Sequence, residues 1–445
     1  MSGYADKLEH LRAGLNAGGA GGIGLAKSTS NLFRDRERQA RPRVDLSGFN
    51  EVVEVDAARA RVSAEGMTTY ADLVDATLAH GLMPCVVPQL RSITLGGAAA
   101  GVGIEASSFR YGLVHDTLLA LDVLLADGSI VTCTPENEHR DLFFGFPNSY
   151  GTLGYALRVK AKAVPVKPYV RLEHLPFGDA GGFFAELGRR LRAGEADFID
   201  GTVFSPQKLF LTLGTFADAA PYTSDYTYER IYYRSIAERR EDFLSVRDFL
   251  WRWDTDWFWC SKNVLAQNPL VRRLVYGRKR LGSRTYTKVM RWNSRVGATQ
   301  KLERLLGLHS ESVIQDVDIP LERAAEFLEF YAREIGLWPQ WVCPIGAASH
   351  AGRHTLYPLP AGWYVNFGFW DVKRTREAHP PGHFNRLVER KVADLGGIKS
   401  LYSESFFPED EFHRIYGGEA YAALKRKYDP RGAFPGLYEK CVLRR

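Results

Sequence analysis

TLGGAAAGVGIEASSFRYG, from Thr94 to Gly112, is the most telling stretch of the chain. Thr94 opens it, and Gly96, Gly97, Gly101, Gly103 and Gly112 sit among alanines and other small residues, with Ser107 and Ser108 before the last glycine. Such a segment lets main chain approach a ligand closely and presents several N–H groups and hydroxyls to it, as a pyrophosphate requires. The same composition also builds a tight, turn-rich connection in a β domain, and glycine richness alone does not choose between the two. It is not a G-x-G-x-x-G fingerprint, because no strand–helix–strand unit surrounds it.

The flanks narrow the choice. Upstream, a short charged helix near 5–15 and the run NAGGAGG precede a strand at 23–26 and a polar loop, in which Lys27, Ser28, Thr29, Ser30 and Asn31 are candidate phosphate donors. Strands at 51–55 and 61–65 follow. In TTYADLVDATLAHG, Tyr70, Leu73, Val74, Thr77 and Leu78 recur at helical spacing, Thr68 or Thr69 caps the start and Gly81 stops the end. Downstream, LLALDVLLADGSIVTCT predicts a hairpin turning at Asp127-Gly128. Gly151, Thr152 and Gly154 then precede an apolar strand. Strand and helix signals alternate irregularly, which favours α+β over a doubly wound sheet.

Taken in order across residues 20–165, these elements resemble the FAD-binding domain of the vanillyl-alcohol-oxidase superfamily. The wording SITLGGAAAGVGIEASSFRYGLVHD, ADGSIVTCTPENEHRDLF and NSYGTLGYALRVKAKAVPVKPYV is similar to the sterol side-chain (24-dehydrocholesterol) reductase family and its bacterial relatives, which act on methyl- or methylene-branched fatty acyl chains. The similarity continues through QDVDIP (315–320), LWPQWVCPI (337–345), LYSES (401–405) and GAFPGLYEKCV (432–442), and so covers most of the chain. It implies an FAD domain at 1–165 and a cap or substrate domain at 166–410, with helices near 178–194, 225–252 and 320–336 and a strand at 364–371. A tail at 411–445 would pack near the flavin domain. In the superfamily, covalent flavin attachment uses a histidine in the first loop or a cysteine in the second. Here the first loop has Lys27-Ser28 and residues 94–112 contain no cysteine, so non-covalent FAD is implied. His115 and Cys85 are taken as structural.

The implied activity is redox chemistry on a carbon–carbon bond of a lipid, foremost a branched fatty acyl chain of a phospholipid, by reduction or desaturation. NADPH is a candidate reductant. A sterol-type alkene, or a polar substrate such as an aldonolactone or sugar alcohol, is the alternative. The flavin supplies hydride chemistry and the protein supplies positioning and a proton, so an acid or base is wanted beside the ring. Tyr402 and Glu404 in LYSES are named for that role, and Asp316, Tyr438 and Lys440 lie in other family-like segments.

Composition bounds the rest. Hydrophobic residues make up 45% and charged residues 25% of 445, ordinary for a globular chain. No run of apolar residues is long enough to span a bilayer, and the charged N-terminus does not read as a signal peptide or membrane anchor, so a cytoplasmic protein is expected. Five dispersed cysteines suggest neither a disulfide framework nor a metal site. From Lys262 to Lys301 there are eleven Lys/Arg and no Asp or Glu, just after Trp251, Trp253, Trp257, Phe258 and Trp259. This stretch, 251–301, reads either as a solvated face beside a core cluster or as a patch for the anionic inner face of a membrane. No nucleic-acid module accompanies it. The sequence leaves the oligomeric state open.

Overall fold

The computed structural model describes residues 3–17, 24–26, 33, 43–296, 307–346 and 352–445. Lys27, Ser28, Thr29, Ser30 and Asn31 lie outside the described residues. A helix at Tyr4–Ala17 opens the chain. Strands β1 (Gly24–Ala26) and β2 (Arg43–Asp45) then pair in parallel.

The first large sheet is antiparallel. It contains β3 (Val52–Asp56), β4 (Arg61–Glu65), β5 (Leu82–Pro84), β6 (Leu118–Leu124), β7 (Ile130–Cys133) and β8 (Tyr155–Pro165), in the order β3-β4-β8-β6-β7 with β5 also on β8. Strand β8 shows why: Val159, Ala161 and Ala163 are buried while Lys160 and Lys162 alternate with them toward solvent, the period of a half-buried strand. The helix at Tyr70–Leu78 buries Tyr70, Leu73, Val74 and Thr77, and Thr69 caps it by accepting the Asp72 N–H. Gly128 turns the β6–β7 hairpin at φ +86°, a conformation that suits glycine.

The second sheet has eight strands. These are β9 (Tyr169–Phe177), β10 (Phe198–Ser205), β11 (Lys208–Ala217), β12 (Glu241–Ser245), β13 (His309–Pro320), β14 (Gln340–Ile345), β15 (Tyr364–Thr375) and β16 (Ile398–Lys399), in the order β12-β9-β11-β10-β14-β15-β13-β16. Helices at Ala180–Ala193, Ala324–Glu334 and His383–Asp394 carry apolar residues into a core shared with this sheet. The tail, with a helix at Gly418–Tyr428, returns to the first unit, where Lys425 donates to the Thr152 carbonyl.

One expected helix is not formed. Residues 225–252 instead give a single turn at Tyr232–Ser235, strand β12 and a short helix at Val246–Leu250. The open edge of β9 takes β12, and the buried Asp242 accepts hydrogen bonds from Ser224 and Tyr226, fixing this local fold against helix propensity. The tryptophan run is core: Trp251, Trp253, Trp257, Phe258 and Trp259 are all at most 8% exposed, so none of these rings is available to an interface. They pack on one another and on β15, with the Phe258 and Trp370 centroids 4.4 Å apart.

Candidate active site

A cavity of about 520 Å³ is walled by both sheet units and by the tail. Part of its wall is main chain, from Gly96, Gly97, Gly101 and Gly103 together with Gly151 and Gly154. Thr94 lines it too, and its hydroxyl accepts the Gly97 N–H at the start of the helix Leu95–Ala100. Glycine is needed here for different reasons. A Cβ on Gly96 would lie 2.7 Å from the Gly66 carbonyl oxygen, so two backbones could not pack. Gly154 has φ +141°, a region essentially reserved for glycine. Gly97, in contrast, is exposed within an otherwise largely buried helix and stands at the cavity wall. After that helix, the N–H groups of Val102, Gly103 and Ile104 make no hydrogen bond within the described residues.

Other predicted positions lie elsewhere. The Ser107 hydroxyl donates to the Cys85 carbonyl, and that of Ser108 accepts the Glu105 N–H; both are buried and neither lines the cavity. These two serines stitch the loop rather than face a ligand, a correction to the sequence reading. Gly112, at φ +73°, ends a short helix, and Thr152 meets the tail through its carbonyl; both are also off the wall.

Another part of the wall is aromatic and carries an acid. Trp257, Phe258, Trp341, Trp370 and Tyr402 surround Asp316 on β13. Tyr150, Trp257 and Phe258 adopt left-handed backbone (φ +49°, +47° and +58°), strain held by the packing around them. Asp316 pairs across the ladder with Gly368, where a Cβ would lie 2.7 Å from the Asp316 carboxylate and 2.5 Å from the Trp370 ring. That glycine leaves room for both side chains. Burial pushes the Asp316 carboxyl up to about 8, the Tyr402 hydroxyl opposing the shift only in part and the neighbouring Asp318 adding to it. Asp318, itself raised to about 6 by burial, accepts from Tyr357 and Asn366, whereas one Asp316 carboxyl oxygen has no hydrogen-bond partner among the described residues. The Tyr402 oxygen accepts the Trp370 indole N–H at 2.7 Å, which orients the phenol.

Glu404 does not join this group. Its carboxylate pairs with Arg444 at 2.9 Å and lies off the cavity, so it is not placed for the acid–base role its sequence position suggests. Tyr438 packs on Phe412 instead, while Lys440 reaches the wall beside Tyr150. Sequence reading missed Gln89 and Trp341, which a buried ion triad holds at the wall. Arg252 bridges Glu105 (3.0 Å) and Asp200 (2.8 Å); Glu105 receives Gln89, and Asp200 receives the Trp341 indole. Cys260 also lines the cavity, but burial raises its thiol to about 12, so it stays protonated and a poor nucleophile. His115, Asp116 and His354 cluster within 4.8 Å of one another but away from the cavity wall, and burial drives His115 down to about 3, neutral at ordinary pH.

Comparison with known proteins points to a flavin domain. Residues 27–134 match the model of an FAD binding domain. The human Delta(24)-sterol reductase is 27% identical over 408 residues, covering 88% of this chain and 76% of its own. The Arabidopsis thaliana Delta(24)-sterol reductase is 27% identical over 442 residues, covering 91% and 77%. Cytokinin dehydrogenase 7 of rice is 35% identical over 146 residues, covering 32% and 28%. The chain is an FAD-dependent oxidoreductase that carries a flavin domain of the vanillyl-alcohol-oxidase superfamily and is homologous to the Delta(24)-sterol reductases over most of its length.

Proposed function

We propose that this enzyme reduces a carbon–carbon double bond in a branched lipid chain, foremost a methyl- or methylene-branched fatty acyl chain of a phospholipid. The observation that carries the reading is Asp316, a carboxyl raised to about 8 and therefore protonated at neutral pH, set among aromatic rings beside Tyr402. An acid held protonated beside a phenol and the Trp370 ring suits proton donation to an alkene better than recognition of a polar sugar.

The residues present fit FAD. The strip from Gly96 to Gly103, with unpartnered N–H groups at Val102 and Gly103, and the turn at Gly151–Gly154 suit a pyrophosphate. Gln89, whose side-chain oxygen has no partner among the described residues, and the aromatic wall suit the ring system. Bound FAD supplies hydride chemistry, and NADPH is the reductant we assign to restore it. The chain's own residues do the remainder. Asp316 gives its proton to one alkene carbon as hydride adds to the other, the two electrons of the π bond forming the new C–H bond; the Asp316 carboxylate regains a proton from solvent. A branch at the carbon receiving hydride lets it bear positive charge, and the faces of Trp257, Trp341 and Trp370 favour that charge. Tyr402 holds Asp316 in place, and the packed rings exclude water that would compete for the proton.

Three expectations follow from these residues. Acid precipitation should release all FAD, since Cys260 is held as a thiol; flavin retained by the pellet would overturn the non-covalent assignment. The Asp316 proton is present below its folded value and lost as pH rises through it. The alkene-reduction step should therefore be flat below pH about 8 and fall about tenfold per unit above it, as read by stopped-flow oxidation of the reduced enzyme. Finally, mass spectrometry of products should find two added hydrogens on a methylene-branched phospholipid. A sterol side-chain alkene reduced in preference would move the assignment to sterols, and turnover of an aldonolactone or sugar alcohol alone would refute it.

A further inference from the structure

Four of the seven exposed large hydrophobic side chains among the described residues fall between positions 265 and 275: Leu265 (67%), Leu270 (69%), Leu274 (83%) and Val275 (56%). Their exposure is a built feature. Arg272, 3% exposed, bolts the segment down through two bonds to Asp256 and one to the Ala266 carbonyl. Asn268 caps the turn at Leu270 and Val271, and the Tyr276 hydroxyl ties back to the Val264 carbonyl. An apolar ridge fixed in this way faces outward without a partner among the described residues.

Its surroundings are basic. Lys279, Arg280, Arg284 and Lys288 are exposed and make no ion pair within the described residues. A second cavity, of about 430 Å³, opens beside the ridge at Gln267 and Pro269 and is lined by Arg230, Arg234, Arg239, Arg272 and Arg273 against only Glu229 and Glu238. Arg273 engages Glu229, and Arg234 donates to Gln267, while Arg230 and Arg234 form no ion pair among the described residues. Guanidinium groups in a recess suit phosphate oxygens.

We propose that residues 265–288 and the arginine-lined recess form a docking surface for an anionic phospholipid membrane. The ridge enters the boundary between headgroups and acyl chains, and the recess takes headgroup phosphate. Charge complementarity selects the anionic surface, and the exposed leucines distinguish a lipid from a nucleic acid or a soluble phosphate. This replaces the tryptophan cluster, which is core, as the apolar part of the contact. The inference draws its purpose from the lipid-substrate reading, since a bilayer-borne chain has to be met at the surface, but not its geometry.

The test is co-sedimentation of the full-length, FAD-loaded protein with phosphatidylglycerol-containing vesicles and with pure phosphatidylcholine vesicles. Leu270→Ser/Leu274→Ser and Lys279→Ser/Arg280→Ser should each lower binding to the anionic vesicles by about tenfold, with FAD content and melting unchanged. Arg272 is left intact because its loss would strand buried Asp256. Binding should weaken as added salt shortens the Debye length from ~10 Å at 0.1 M to ~3 Å at 1 M, and inorganic phosphate at equal ionic strength should not compete. Equal binding of parent and variants, equal binding to both vesicle types, or displacement by phosphate or by single-stranded DNA would each overturn the proposal. Sedimentation needs no turnover, so its failure leaves the substrate reading standing, and an enzyme inert toward lipids would leave vesicle binding to be judged separately.

Discussion

Asp316→Asn should slow alkene reduction by about a hundred- to ten-thousand-fold, the usual contribution of a positioned general acid. Asparagine keeps the volume and the Tyr402 neighbour but has no transferable proton at neutral pH. FAD content should be unchanged, and so should reduction of the flavin by dithionite, because neither step uses this proton. The pH limb above about 8 should vanish in the residual rate. The fold should tolerate the change and gain from it at higher pH. Asp316 has its folded value raised above 3.8, so the wild type is favoured below the unfolded value and loses stability as pH rises toward about 8. Thermal melts of both proteins between those limits check the sign: the parent's stability should decline with pH more steeply than the variant's. A variant with full activity would remove Asp316 from the reaction.

Gly97→Val should abolish flavin binding while sparing the fold. Gly97 is exposed at the cavity wall within Leu95–Ala100, and valine is no worse a helix former than glycine, so the local structure has little reason to fail. The branched side chain would instead crowd the dinucleotide. Overpacking costs about 1–3 kcal/mol, or roughly 5- to 150-fold in Kd, and the protein should purify with little or no flavin yet retain its far-UV circular dichroism. Gly96→Val is the contrasting case. Its side chain would strike the Gly66 carbonyl and should damage the fold itself. Full flavin occupancy in Gly97→Val would show that this wall is not where the cofactor lies.

These two residues mark what the sequence makes legible. The glycine segment stands out because close backbone approach demands one residue type at several nearby positions, and the order of its flanking elements follows from local periodicity. Ser107 and Ser108 show the limit, since composition cannot say whether a hydroxyl faces a ligand or a carbonyl two loops away. The same holds for LYSES, where Tyr402 turns to Asp316 and Glu404 to Arg444, a partner forty residues downstream. Asp316 itself sits in QDVDIP, where two acids two apart share a strand face, yet only the ladder with Gly368 and the burial by distant aromatics make it a protonated acid. Residues 225–252 carry a helical pattern yet form strand β12 because the free edge of β9, far upstream in the chain, decides their conformation. Long-range pairing of this kind leaves little local trace.

The most direct test is anaerobic absorbance spectroscopy of the purified, full-length protein. It should show an oxidised flavin spectrum that dithionite bleaches and that returns when a methylene-branched alkenyl phospholipid is added without oxygen, but not when its saturated counterpart is. Absence of flavin, or a reduced flavin that no alkene reoxidises, would contradict the account.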